Sequence, residues 1–291
     1  MRILILGGDG MLGHQLARSW TAHSIFGTFR SGAEHYPREL RDRFSSAAFG
    51  IEATDTAALT RVMGNWRPDV VVNAIGVVKQ RAEAKDAIAS IEVNALFPHR
   101  LAGVCAELKA RLIQISTDCV FSGEKGMYGE DDIADARDLY GLSKFLGEVV
   151  APGAITLRTS IIGLELSRRK SLVEWFLAQT GTIKGYAGAI YTGFTTMEMA
   201  RIIEHVIVNH PGKSGVYNVS SDPIDKYTLL MKLRDRLGRD IRIERDEDFR
   251  CDRSLDSTRF RAEFGYQPPS WDEMLDELAE QILRREVQAC A

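Results

Sequence analysis

The chain alternates short apolar runs with longer stretches in which apolar side chains recur three and four residues apart. Runs at residues 2–6, 24–29, 69–74, 112–115 and 154–158 have the length and the Ile, Leu and Val content of buried strands. Residues 47–51 make a shorter one. Helical spacing occupies the intervals: a helix is expected from about Met11, another at 55–66 ended by Pro68, a long one at 86–108, and a further one in 138–148. Pro98 lies inside the long helix and predicts a break near Phe97, because proline offers no N–H and clashes with the preceding turn. Asn94, one turn earlier, either bonds the loosened backbone or takes part in a proton relay. Beyond residue 163 the alternation weakens, with helices expected at 171–179, 195–209 and 271–287 and strands at 215–219 and 241–245. Strand and helix in regular succession predict an α/β architecture, a parallel sheet with helices on both faces.

Composition narrows what such a fold is for. With 291 residues and 45% hydrophobic content the chain can bury a large core. Lys plus Arg number 37 against 40 Asp plus Glu, a net charge of −3, so nucleic acid and anionic membrane surfaces are not indicated partners. Cys105, Cys119, Cys251 and Cys290 are far apart and match no zinc or redox spacing, which predicts reduced thiols in a cytoplasmic protein and no metal. Arg2 is followed at once by a strand-like run and glycines, which does not read as a signal peptide, and no apolar run approaches the roughly 20 residues of a membrane helix.

Chemistry enters at the ends of the expected strands. Gly7, Gly10 and Gly13 are spaced G-x-x-G-x-x-G between the first strand and first helix. Such a turn lets backbone amides approach a pyrophosphate at a positive helix end, as in a Rossmann-type sheet; a ligand-free tight turn is the plainer reading. The second strand ends in Thr28-Phe29-Arg30-Ser31, with no acid between Thr21 and Ala33. A basic residue there suits a 2′-phosphate, so Arg30 points to NADP(H), with NADH still permitted; an exposed arginine without a ligand is the alternative. Asn73-Ala74-Ile75-Gly76 closes the next strand with small residues, leaving room on the side where open α/β sheets bind ligands. Lys79, Gln80 and Arg81 follow, either meeting a phosphate or sugar or forming a solvated turn.

The strand at 112–115 runs into Ser116, Thr117 and Asp118, and Tyr140 and Lys144 then stand four apart, on one helix face. A cation beside a phenol favours its ionised form, so the pair suits proton transfer near neutral pH; a surface coincidence is the plain reading of the pair alone. Late in the chain Arg253-Ser254-Leu255-Asp256-Ser257-Thr258 joins arginine to a hydroxyl-rich turn, either a diphosphate contact or a solvated helix start.

The glycine turn, the Asn73 to Gly76 strand end, Ser116-Thr117-Asp118 and Tyr140-x-x-x-Lys144, in this order, resemble an extended short-chain dehydrogenase/reductase. STDCVFSG, YGEDD, DLYGLSKFLGE, LRTSIIG and RSLDS with PPSW most resemble the dTDP-4-dehydrorhamnose reductase group of sugar-nucleotide 4-ketoreductases. The resemblance implies a Rossmann-type doubly wound parallel sheet in residues 1–163 with a return segment at 186–220. It also implies a smaller C-terminal α/β substrate-binding domain from 164–185 and 221–291. It implies NADPH-dependent reduction of the 4-keto group of a nucleotide-linked 6-deoxy sugar, a nucleotide-sugar substrate and a possible homodimer. Thr117, Tyr140 and Lys144 would form the catalytic set. Gly7, Gly10, Met11, Leu12, Gly13, Arg30, Asn73, Ala74, Ile75, Gly76 and Ser116, with Tyr140 and Lys144, would hold the cofactor. Lys79, Asp118, Cys119, Arg158, Arg253 and Ser254 would meet the substrate.

Two departures bear on substrate and cofactor. The acid that relatives often carry after the third strand is absent at Phe49-Gly50-Ile51, and Tyr191-Thr192-Gly193-Phe194-Thr195 replaces the usual Gly-x-Pro-Thr, so a UDP-linked amino sugar also fits. Among rival readings, a 4,6-dehydratase needs an Asp-Glu pair after the threonine, and Asp118 is followed by Cys119. An epimerase using the same tyrosine and lysine and a non-catalytic cofactor-binding subunit are the other rivals.

Overall fold

A computed structural model describes residues 1–78, 86–167 and 169–290. Its strands are β1 (Arg2–Leu6), β2 (Ser24–Thr28), β3 (Ser46–Ala48), β4 (Val70–Asn73), β5 (Arg111–Thr117), β6 (Ala154–Thr159), β7 (Ile161–Ile162), β8 (Gly181–Tyr191), β9 (Phe194–Thr195), β10 (Gly215–Asn218), β11 (Ile224–Asp225) and β12 (Ile241–Asp252). The helices are α1 (Met11–Ser19), α2 (Arg38–Arg41), α3 (Thr56–Trp66), α4 (Ala87–Ser90), α5 (Phe97–Leu108), α6 (Leu139–Leu146), α7 (Leu172–Leu177), α8 (Thr196–Asn209), α9 (Lys226–Leu237), α10 (Thr258–Phe264) and α11 (Trp271–Cys290).

Seven strands pair in the order β10-β6-β5-β4-β1-β2-β3, every pair parallel. The apolar runs explain this. In β1, Ile3 and Ile5 turn to one face and pack with Leu12 and Leu16 of α1 and Ile202 and Ile203 of α8. Leu4 and Leu6 turn to the other and pack with Leu59 and Met63 of α3 and Leu101 and Val104 of α5. Alternate side chains therefore enter two cores, which is why Ile3 to Leu6 are all apolar and not alternating. Each such fully buried side chain stabilises the fold by about 1.5–3 kcal/mol.

A second sheet, β11-β8-β12, carries the C-terminal lobe; β8 runs parallel to β12, with a register shift between Asp246 and Arg250, and antiparallel to β11. The expected return segment opens at residue 186, inside β8, so residues 186–191 lie in this small sheet, and the chain rejoins the main sheet through α8 and β10. Among the described residues no helix is long and apolar enough to cross a membrane.

The long helix at 86–108 breaks where Pro98 predicts, in a specific way. Between α4 and α5 the turn from Ile91 to Leu96 widens to π-helical geometry, with Pro98 just inside α5. Proline cannot donate to the carbonyl of residue 94, and a widened turn accommodates the missing bond. Asn94, inside that turn, bonds neither its own helix nor a substrate-facing group: its amide grips Val77 (N to Oδ1 2.9 Å, Nδ2 to O 3.0 Å) and donates to Ser143 Oγ at 3.2 Å. It clamps the loop after β4 to α6.

Candidate active site

A cleft of about 480 Å³ lies over the carboxyl ends of β1, β4, β5 and β6, beside the point where the strand order reverses between β1 and β4. Gly10, Met11, Leu12 and Asn73 to Gly76 line one end; Thr117, Asp118, Cys119, Tyr140 and Lys144 line its middle; Tyr191, Lys226, Phe249 and Arg253 close the other. A hollow of about 110 Å³ continues from the first end, shares Gly10 and Ala74 to Gly76 with the cleft, and reaches Thr28, Arg30, Ile51 and Glu52.

The glycine turn is built for close approach. Gly7 has φ +81°, and a Cβ on Gly13 would stand 2.1 Å from the Gly7 carbonyl oxygen, so α1 can pack this tightly on β1 only without a side chain there. Gly10 caps α1 with no side-chain acceptor, which leaves the first-turn amides to the cleft. Asn73 shapes the neighbouring strand end, donating to Gln114 Oε1 at 2.8 Å and accepting from Ile75 N at 3.1 Å. Backbone amides at a helix start, a wall of mostly small residues and an arginine at the far end fit a dinucleotide.

The middle of the cleft is positioned by α6. Asp138 caps its start, accepting from Gly141 N at 3.1 Å. A Cβ on Gly141 would come within 2.2 Å of the Cys119 carbonyl oxygen, so the helix rides directly on the 118–120 turn and carries Tyr140 to Thr117. The Thr117 hydroxyl donates to Asp118 Oδ1 at 3.2 Å and accepts from Cys119 N at 3.2 Å. Lys144 is buried, and its Nζ donates to Ile115 O at 2.7 Å. Ser116 donates to Glu148 Oε1 at 2.7 Å.

Electrostatics here differ from the simple phenol-beside-cation picture. Tyr140 as a whole residue is only partly buried, but its hydroxyl end is deep: burial raises its pKa well above 10, Cys119 and Asp118 add to this, and the Thr117 hydroxyl pulls against it. Burial brings Lys144 down to about 8, against the opposing pull of Glu148. Burial raises the Asp118 carboxyl, opposed by bonds from Cys119 and Thr117 and by Arg253, and pushes the Cys119 thiol up to about 12. Near neutral pH the site presents a protonated phenol and a neutral thiol.

The expected substrate contacts separate into two sets. Asp118, Cys119 and Arg253 line the cleft, Arg253 anchored by Nε to Phe121 O at 2.8 Å with Nη1 3.9 Å from Cys119 Sγ. Arg158 and Ser254 are engaged elsewhere. Arg158 is 6% exposed at its side chain and forks onto Glu148, with Nε and Nη2 each 2.8 Å from a carboxylate oxygen, while Nη1 donates to Glu130 O at 3.1 Å. Ser254 Oγ accepts from Met127 N at 2.7 Å and is 1% exposed. Both brace the loop that follows β5. Lys79 lies outside the described residues. Sequence reasoning missed Lys170, Tyr191, Lys226 and Phe249, which also line the cleft. Only the departure at Tyr191 carried a signal; the others are brought in by the packing of the C-terminal lobe. Among the described residues no group of three or more His, Cys, Asp or Glu is placed to hold a metal ion.

Comparison with known proteins agrees with this architecture. The chain is 25% identical to the dTDP-4-dehydrorhamnose reductase of Aggregatibacter actinomycetemcomitans over 299 residues, covering 94% of this chain and 97% of that one. It is 35% identical to the dTDP-4-dehydrorhamnose reductase of Streptomyces griseus over 154 residues, covering 50% of this chain and 43% of the other. Among solved structures, that of dTDP-4-dehydrorhamnose reductase from Bacillus anthracis in complex with NADP superposes with a TM-score of 0.80 at 20% identity, covering 96% and 99% of the two chains, a likeness of fold. The family model described as RmlD substrate binding domain matches residues 1–179, and the chain belongs to that family.

Proposed function

We propose that this protein is an NAD(P)-dependent oxidoreductase that reduces the 4-keto group of a nucleotide-linked 6-deoxy sugar. A bound dinucleotide would supply the hydride. The turn Gly7 to Gly13 with Met11 and Leu12 would hold its pyrophosphate, Arg30 its adenosine end, and Asn73 to Gly76 with Ser116 would form the wall beneath it. Tyr140 gives its proton to the ketone oxygen, and the Thr117 hydroxyl turns from Asp118 to the same oxygen, stabilising the charge that develops there. Lys144 keeps one proton on Ile115 O and, while charged, directs its others along the cleft toward ribose hydroxyls and the phenol. Arg253, with Lys226, suits the sugar's diphosphate.

The observation that carries this reading is the set of groups at the middle of the cleft, where Tyr140 and Lys144 stand with Thr117 and the position after Asp118 is Cys119. Reduction needs an acid, and burial holds Tyr140 as one. Dehydration needs a carboxyl pair, and the second position is a thiol that stays neutral to about pH 12. Epimerisation uses the same tyrosine and lysine but consumes no cofactor overall, so cofactor turnover separates it from reduction.

The test is a screen of NADPH oxidation against dTDP- and UDP-linked 4-keto-6-deoxy sugars. Stoichiometric cofactor consumption with an alcohol product is expected, and Tyr140→Phe should lower kcat by about a hundred- to ten-thousandfold with a much smaller loss of dinucleotide binding. Isomerised sugar with no net cofactor turnover would establish epimerisation instead. Full cellular function retained by an inactive Tyr140→Phe variant would point to a regulatory subunit.

A further inference from the structure

The hollow at the adenosine end holds a charge arrangement that the spacing of residues does not reveal. Arg30, just past β2, stands where a guanidinium meets a 2′-phosphate. In the structure its Nε donates to Glu52 Oε1 at 3.0 Å, across the mouth of the hollow. Asp9, from the glycine turn, lines the same hollow. Among the described residues that line it, the charged side chains are therefore one cation and two carboxylates. A 2′-phosphate entering here must take the guanidinium from Glu52, whereas a free 2′-hydroxyl is a donor and meets the Glu52 carboxylate as its acceptor.

We infer that Glu52 is a specificity-determining residue for the dinucleotide: it competes with the 2′-phosphate for Arg30 and receives the ribose hydroxyls of NADH, so that the protein accepts both cofactors. This rests on the reading of the cleft as a nicotinamide dinucleotide site. It supplies an acid after the third strand after all, two residues past Gly50 and turned to the arginine. The side chains of Arg30 and Glu52 are 59% and 55% exposed, so the competition is screened and its effect modest.

The experiment is equilibrium binding of NADPH and NADH, without sugar, to the wild-type chain, Glu52→Gln and Arg30→Ala, read by nicotinamide fluorescence at one ionic strength. Releasing Arg30 from an exposed ion pair should tighten NADPH about three- to fivefold in Glu52→Gln and weaken NADH about twofold. Arg30→Ala should weaken NADPH and leave NADH within about twofold. Equal changes for the two cofactors in Glu52→Gln, or an unchanged ratio of their dissociation constants, would overturn the role of Glu52 while leaving the dinucleotide site standing. Failure of the wild-type chain to bind either cofactor would overturn both.

Discussion

Lys144 is pulled two ways, upward by Glu148 and downward by burial, and burial prevails at about 8. Its charged form, the one that attracts ribose hydroxyls and steadies the phenol, is present below that value and lost as pH rises through it. Tyr140 is shifted upward and stays protonated over the same interval, so the phenol does not set the limb. Reductase kcat/KM should therefore fall above about pH 8, by about tenfold per pH unit. Lys144→Arg, whose guanidinium remains charged, should abolish that limb even where it lowers the rate. A wild-type profile flat to about pH 10 would show that Lys144 does not act through its charge. The identities of Thr117, Tyr140 and Lys144 were legible as a strand end and a four-residue spacing. The directions of the Tyr140 and Lys144 shifts were not, because they depend on how deeply the two groups are buried.

At the scale of elements, what decides the site is how closely α6 can lie on the 118–120 turn. A Cβ at Gly141 would meet the Cys119 carbonyl oxygen at 2.2 Å and the Ala136 Cβ at 2.5 Å. Gly141→Ala must push the helix, and Tyr140 with it, away from Thr117. Overpacking of this kind costs about 1–3 kcal/mol, which should lower Tm by about 2–8 °C, and kcat should fall further than the folded fraction does. Calorimetry and single-turnover kinetics together check this; an unchanged kcat would mean that the helix position is not what aligns the phenol. The same scale shows which elements the chain discloses. β1, β4, β5 and β6 were legible because strands buried on both faces carry apolar side chains at consecutive positions, not only at alternate ones. β8, reading GTIKGYAGAIY, was not: three glycines interrupt its pattern, and its partner β12 lies some fifty residues on. α9 buries only Leu229, Leu230 and Leu233, too narrow a stripe to stand out. Arg158 looked available at a strand end, and its partner Glu148 becomes visible only once α6 has turned the chain back.

Across the whole molecule the two sheets share one interior. A single apolar cluster runs from Ile3 and Leu16 through Leu157 and Ile203 to Leu230, Ile243, Leu275 and Ile282, so neither lobe has that core to itself. Polar ties follow the same route: Trp20 Nε1 donates to Ala200 O at 3.1 Å, and Gln281 Nε2 to Gln15 Oε1 at 2.6 Å, joining α11 to α1 across the length of the chain. Arg285 of α11 grips Glu174 of α7, a carboxylate only 2% exposed, with Nη2 to Oε2 at 3.1 Å. Arg285→Ala would leave that buried carboxylate unpaired at a cost of about 3 kcal/mol, the low end for a broken buried pair because the arginine itself is 32% exposed. With one shared core the loss should not loosen the C-terminal lobe alone. Heating should give one cooperative transition in both proteins, displaced as a whole to lower temperature in the variant, with intrinsic fluorescence and far-UV circular dichroism moving together. Two separated transitions, with only the lower one shifted by Arg285→Ala, would show that the lobes fold independently, and that closing the cleft between them is a motion of separate bodies and not a distortion of one core.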